Sequence, residues 1–221
     1  MSLLTVVRHA QARPFEKNSD CLSETGEQQA RALGDYWERA GVTFDEVLCG
    51  TLQRHRQTAA LALGAPPAIS ADWNEYDAEG ILRGYPPPSS FPDNRAFQKV
   101  FEAAMEKWMT GSPDREGQSD VAVHGPAPRG EPFADFHARV LRGLRSIQEG
   151  PSNRKVVLFT SGGPIGVLVQ TALGAPERSF ADVNWRVRNC SISEFVFSRD
   201  RLSLDLFNST PHLKQGIYTF R

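Results

Sequence analysis

The segment that most limits what this chain can become lies at its start, where Leu3-Leu4-Thr5-Val6-Val7, a short apolar run rich in β-branched residues, stops at Arg8-His9. A run without polar alternation suits a strand covered on both faces, the environment of a parallel sheet with helices above and below it. Parallel neighbours need long crossovers, so strands should alternate with helices along the chain. Open sheets of this kind bind ligands outside the carboxyl ends of their strands. Arg8 and His9 occupy that place for the first strand.

The rest of the chain keeps the alternation. Ser23 to Ala40 has Ala30, Leu33 and Trp37 at helical spacing, Ser23 as a candidate cap, and Glu24 and Glu27 at the end where the helix dipole favours acids. Glu46 to Leu48 is a candidate second strand, and Gln53 to Leu63 a helix closed by Gly64 and Pro66-Pro67. Phe133 to Gln148 carries Phe136, Val140, Leu141, Leu144 and Ile147 on one helical stripe. Lys155 to Thr160 reads as a core strand, from which Ser161-Gly162-Gly163-Pro164 turns into an apolar helix through Leu173. Ser191 to Phe197 and Leu202 to Phe207 form a closing hairpin around Arg199-Asp200. Residues 80–131 differ in character: Pro86-Pro87-Pro88, Gly111-Ser112-Pro113 and Gly125 to Gly130 enclose one helix, Phe97 to Met109, and the stretch reads as an insertion or cap. The expected fold is α/β, a three-layer α/β/α sandwich around a mostly parallel sheet. Its candidate sites are Arg8-His9 and Ser161-Gly162-Gly163.

Composition narrows the functions open to such a fold. With 40% hydrophobic and 23% charged residues the 221-residue chain is of ordinary globular type. Lys and Arg number 25 against 26 Asp and Glu, so no global field draws nucleic acid or an anionic membrane, and an anion site has to be built locally. Cys21, Cys49 and Cys190 lie far apart with no metal-binding spacing, the pattern of reduced thiols in a cytoplasmic protein. The first residues lack a basic stretch before the apolar run, which Arg8 interrupts, so neither signal peptide nor membrane anchor is expected.

Arg8-His9 joins a guanidinium fork, suited to phosphate oxygens, to an imidazole that is a nucleophile when neutral. Arg54 opens the helix within Gly50-Thr51-Leu52-Gln53-Arg54-His55-Arg56-Gln57-Thr58-Ala59, where backbone N–H groups and the dipole also favour an anion. Together with the Arg8-His9-Ala10 segment, this stretch resembles the histidine phosphatase superfamily, also called phosphoglycerate mutase-like, whose members read roughly R-H-G-(E/Q)-(T/S) and then S-x-L-x-R-x-x-Q-T-A. Leu22 to Ala30 is similar to that family's L-T-x-x-G-x-x-Q-A segment, and Gly130-Glu131 with Phe136, Arg139 and Val140 to its G-E-S-x-x-x-x-x-R-V helix entry. The likeness covers most of the chain except about 80 to 130. It implies one histidine-phosphatase-like domain over 1–221, with 80–131 as its insertion.

The resemblance implies roles for the matching residues. His9 attacks a phosphoryl group to form a phosphohistidine, which water or a second acceptor discharges, while Arg8 and Arg54 hold the oxygens. Glu75 falls where the family places the carboxyl that protonates the leaving oxygen, a task for a raised pKa in a partly dry site, with Asp77 and Glu79 as neighbouring rivals. No metal and no cofactor are implied.

Two positions depart from the pattern. Ala10 replaces a glycine, which is harmless only where no positive φ is needed. Ser161 stands in the place of the histidine of the family's H-G-G segment, leaving one neutral donor and the Gly162-Gly163 backbone as an anion nest, so Ser161 and Gly162 are expected to touch substrate. Losing an imidazolium donor of this kind costs on the order of 100-fold to 1000-fold in rate, which makes the site slow rather than dead. Four other histidines could replace it. As a helical neighbour of Arg54, His55 should point about 100° away into solvent. His124 lies in the insertion, His137 on the helix after it, and His212 in the C-terminal loop. The expected function is hydrolysis of a small phosphorylated metabolite, without nucleic acid or membrane partners and with a homodimer left open. The alternatives are a phosphate-ligand binding or regulatory protein that has lost turnover, and a phosphomutase, for which retaining the intermediate is harder without that histidine.

Overall fold

In the computed structural model, which describes residues 1–13, 19–111 and 130–220, the opening run is a strand, β1 (Ser2–Arg8), buried along nearly its whole length. With β2 (Glu46–Cys49), β3 (Ala68–Ile69), β4 (Lys155–Thr160), β5 (Ile192–Phe197) and β6 (Leu202–Ser209) it forms one sheet in the order β3-β2-β4-β1-β5-β6. The four strands from β3 to β1 are parallel, and the closing hairpin adds β5 and β6 antiparallel. This is the expected α/β architecture, a mixed, mostly parallel sheet flanked by helices.

The sheet belongs to a unit made of Met1–Glu75 and Arg139–Arg221. Its helices include α1 (Glu24–Arg39) packed on α2 (Gln53–Leu63), and α6 (Gly162–Leu173) packed on α7 (Ser179–Asn184). Ser23 caps α1 by accepting the Gly26 N–H at 3.0 Å, and α2 ends at Gly64 with φ 65°. Val7, Leu33, Trp37, Val157 and Phe159 are buried in one apolar cluster, with Trp37 edge-on to Phe44 and Phe159. Full burial of each such side chain stabilises the fold by roughly 1.5–3 kcal/mol, enough to hold the strand ends that carry the polar residues.

A second unit, Tyr76–Ala138, contains α3 (Ala78–Ile81), a 3₁₀ turn at Pro88–Ser90, α4 (Asn94–Thr110) and the first residues of α5 (Phe133–Glu149). Its core is aromatic: Trp108 packs against Tyr76, Phe133 and Phe136, and its Nε1 donates to the Glu131 carbonyl at 2.8 Å. The sequence limits of the insertion, 80 and 131, fall inside this unit, which holds more helix than the single segment expected. His124 lies outside the described residues. Among the described residues, no helix is long and apolar enough to cross a membrane.

Candidate active site

Two central strands bring the predicted residues together. β1 and β4 are neighbours with Arg8 opposite Thr160, so His9 and Ser161 leave the sheet side by side at its carboxyl edge. The His9 N–H donates to the Thr160 carbonyl at 2.7 Å, and the His9 carbonyl accepts from Cys190 N–H at 3.2 Å and Asn189 Nδ2 at 3.4 Å. The backbone of His9 is thus fixed from both sides.

The residues of the sequence motifs hold the loop that follows. Thr58 Oγ1 accepts the Ala10 N–H at 3.1 Å and donates to the Arg54 carbonyl at 2.7 Å. Gln29 Oε1 accepts Gln11 N–H at 2.9 Å, and Gln57 Oε1 accepts Leu22 N–H at 2.8 Å. Gly26 is required by proximity, since a Cβ there would lie 2.1 Å from the Gln11 carbonyl oxygen. Ala10 does not adopt a left-handed backbone, so replacing glycine there carries no strain.

His9 is 7% exposed. Its Nδ1 lies 2.8 Å from the Ala10 carbonyl, a group that only accepts, so Nδ1 carries the ring proton and Nε2 holds the free lone pair. Burial first, then the positive charges of Arg54 and Arg8, lower the pKa of this ring well below the ordinary histidine value. A neutral imidazole with a free Nε2 lone pair, under the influence of two guanidinium charges, suits nucleophilic attack on an anionic electrophile.

Arg8 is buried and donates through Nη1 to the Val187 carbonyl, which fixes the direction of its fork. Arg54 lies in the first turn of α2, and its Nη1 pairs with Asp20 at 2.7 Å. The other Asp20 oxygen accepts the Gln53 N–H at 2.7 Å, so an internal carboxylate occupies the anion-favouring helix start where substrate oxygens were expected.

Glu75 reaches the start of α6, where Gly163 N–H donates to its two carboxylate oxygens at 3.0 and 3.3 Å. The expected Gly162-Gly163 nest is therefore partly filled from within, because one of its donors is committed to Glu75. A Cβ at Gly162 would lie 2.5 Å from Asn184 Oδ1, so a side chain there would have to displace that amide. Arg139 holds the segment that carries Glu75: Nη1 donates to the carbonyls of Ala71, Asp72 and Asn74 at 3.3, 3.0 and 2.7 Å, and Nη2 to that of Glu75 at 3.2 Å. The rivals are placed differently, Asp77 capping α3 through Gly80 N–H at 2.8 Å and Glu79 exposed.

His55 corrects the sequence reading. Instead of facing solvent, its ring is fully buried, with Nε2 2.6 Å from Ser161 Oγ and its centroid 5.7 Å from that of His9. A helical step of 100° turns His55 away from Arg54 but not into solvent: Gln53 and Arg56 are the exposed residues of this turn, Arg54 is half-buried, and His55 faces the interior against Ser161. Of the remaining histidines, His137 packs on Phe133 and His212 is buried near Tyr36. Among the described residues no group of three His, Cys, Asp or Glu side chains is arranged to hold a metal ion. Asp20 gave no signal in the sequence, and Arg139 appeared there only as a motif letter. A helix-borne arginine facing loop carbonyls far along the chain is a long-range contact that local spacing does not encode.

The family model described as "Histidine phosphatase superfamily (branch 1)" matches residues 4–210. The chain is 30% identical over 197 residues to "Probable phosphoglycerate mutase GpmB" of Erwinia tasmaniensis, a match covering 85% of this chain and 81% of that one. Among solved structures, a phosphoserine phosphatase of Entamoeba histolytica in complex with phosphoserine superposes with a TM-score of 0.67 at 19% identity, covering 97% of this chain and 100% of that one. A mycobacterial glucosyl-3-phosphoglycerate phosphatase with inorganic phosphate gives 0.63 at 21% identity, covering 96% and 99%. At those identities the two structures speak for the fold alone.

Proposed function

Since the chain belongs to the histidine phosphatase superfamily, branch 1, we propose that it hydrolyses a small phosphorylated metabolite through a phosphohistidine on His9. The observation that carries this reading is the contact of His9 Nδ1 with the Ala10 carbonyl, which puts the ring proton on Nδ1 and leaves Nε2 as a lone pair in a ring that feels the charges of Arg8 and Arg54. In the first step His9 Nε2 attacks phosphorus and the ester P–O bond breaks. Glu75, as the carboxylic acid, gives its proton to the leaving oxygen. Water then attacks phosphorus while Glu75 takes a proton from it, the P–Nε2 bond breaks, and orthophosphate leaves with His9 neutral again. Arg8, Arg54, the Ser161 hydroxyl and the backbone at Gly162 face the phosphoryl oxygens as charge develops on them. Residues 1–221 then serve as one functional domain, with 80–131 as its insertion.

Two of the structural neighbours bear names of phosphatases acting on small phosphorylated compounds, which is the substrate class proposed here. The Erwinia relative's name favours phosphomutase activity as a second reading. One panel separates the two: p-nitrophenyl phosphate, glycerol phosphate, phosphoserine and 3-phosphoglycerate, with release of orthophosphate and appearance of an isomeric ester measured together. Release without isomer, abolished by His9→Ala, is the expected result. Isomer formation faster than release would favour the mutase, and tight orthophosphate binding with no reaction on any donor would favour the binder.

A further inference from the structure

Ser161 occupies the N-cap position of α6 without capping it. A serine there ordinarily accepts the N–H of the second or third helical residue. Here the second, Gly163 N–H, is taken by Glu75, and the third residue is Pro164, which has no N–H. The hydroxyl is instead within hydrogen-bond distance of the buried His55 ring, Nε2 to Oγ 2.6 Å.

That ring offers only two neutral arrangements. In one, Nε2–H donates to Ser161 Oγ and the Nδ1 lone pair faces Gly50. In the other, Nδ1–H faces Gly50 and Nε2 accepts from the serine. Nδ1 has no hydrogen-bond partner among the described residues, and it is close enough to Gly50 that a Cβ there would lie 2.3 Å from it. An orphaned buried N–H is a rarer and costlier defect than an under-used acceptor, so the proton belongs on Nε2. With its oxygen accepting from His55, Ser161 keeps its own proton free to donate. The residue leaves β4 next to His9, whose N–H is bonded to the carbonyl of Thr160.

We propose that His55 is a positioning residue which, from α2, fixes Ser161 as a donor to a phosphoryl oxygen, so that the imidazole missing from position 161 acts at one remove. Hydrogen bonds in series polarise one another, so a serine that accepts from an imidazole is a stronger donor than a lone hydroxyl. Burial, and then the Arg54 charge, keep the ring neutral, as this arrangement requires. No bond is made or broken in His55, and no proton leaves it during turnover. The proposal rests on the phospho-His9 reading for its substrate.

The test combines kinetics with a signal that needs no turnover. With p-nitrophenyl phosphate, Ser161→Ala and His55→Leu should each lower kcat about 100-fold, the scale of losing one preorganised donor, with KM changing far less. The double variant should be no slower than Ser161→Ala. His55→Gln, whose amide N–H can reach the place of Nε2, should recover most of the loss. A merely space-filling His55 predicts the opposite order, with His55→Leu near the wild-type rate and His55→Gln no better. That result, in protein with an unchanged melting temperature, overturns the relay and leaves phospho-His9 standing. In ¹⁵N-histidine spectra of the wild-type protein, His55 should carry its proton on Nε2, and this signal should move on titration with orthophosphate, but not in Ser161→Ala. A proton on Nδ1 overturns the relay whether or not the enzyme turns over. Absence of hydrolysis and of label on His9 overturns the phospho-His9 reading instead.

Discussion

Replacing Arg139 by lysine tests how the chain aims Glu75. The guanidinium spreads over four carbonyls, those of Ala71, Asp72, Asn74 and Glu75, at 2.7–3.3 Å, a fan that a single ammonium cannot reproduce. A hydrogen bond from a charged donor is worth about 1.5–3 kcal/mol, and lysine should keep one or two of the four. With the side chain partly exposed and water able to replace lost partners, a net destabilisation of about 1–3 kcal/mol is expected. For a chain of this length that corresponds to roughly 2–12 °C in melting temperature. A misplacement of about 1 Å in a catalytic group costs on the order of 100-fold, and the loss should depend on the leaving group. p-Nitrophenolate departs without a proton, whereas the alkoxide of glycerol phosphate needs one. Arg139→Lys should therefore slow glycerol phosphate hydrolysis 10-fold to 100-fold more than p-nitrophenyl phosphate hydrolysis, with orthophosphate inhibition unchanged. Equal losses on the two substrates, or weakened phosphate binding, would refute the claim that Arg139 acts through Glu75.

Other perturbations read other parts of the site. Thr58→Val leaves the buried Ala10 N–H without its acceptor, so it should cost about 1–3 kcal/mol in urea denaturation, while Thr58→Ser should cost less. Removing the internal anion with Asp20→Asn frees Arg54 and should tighten orthophosphate inhibition about 2-fold to 5-fold, the scale of a partly exposed ion pair. Gly50→Ala places a Cβ 2.3 Å from His55 Nδ1 and should lower kcat while leaving the fold intact by circular dichroism. Acid should weaken the fold, because His9, His55 and His212 are all held neutral by burial. An unfolded chain binds their protons below about pH 6.5, so stability falls from there downward through the folded values. For His212, lowered to about 4, this amounts to roughly 3 kcal/mol once the pH is below that value, measurable by denaturant titration from pH 7 to pH 4.

Where boundary signals were strong the sequence was sufficient. Gln53–Leu63 and Lys155–Thr160 have the limits that their flanking Gly, Pro and Ser residues suggested, and β1 extends the expected run by one residue at each end. Short elements escaped notice: β3 has two exposed residues, and α3 and α7 have four and six, too few for a periodic pattern to emerge. At the site, His9, Arg8 and Arg54 were legible because backbone geometry at strand and helix ends dictates where they sit. The His55–Ser161 bond joins residues 106 apart, and the Asp20–Arg54 pair 34 apart. The first depends on tertiary packing that buries His55, and the second on a partly exposed loop carboxylate folding back to the start of α2. The Gly163–Glu75 bond is of the same kind, and it changed the expected nest from an empty cradle into one that carries its own carboxylate.

Phosphoryl transfer to His9 can be measured directly by rapid quenching. The protein is mixed with ³²P-labelled acetyl phosphate, stopped in alkali and mapped by peptide. A base-stable, acid-labile label should appear on His9 alone, form at least as fast as turnover, and decay with release of orthophosphate. Hydrolysis that persists in His9→Ala, or a label that resides on another residue, would contradict the account.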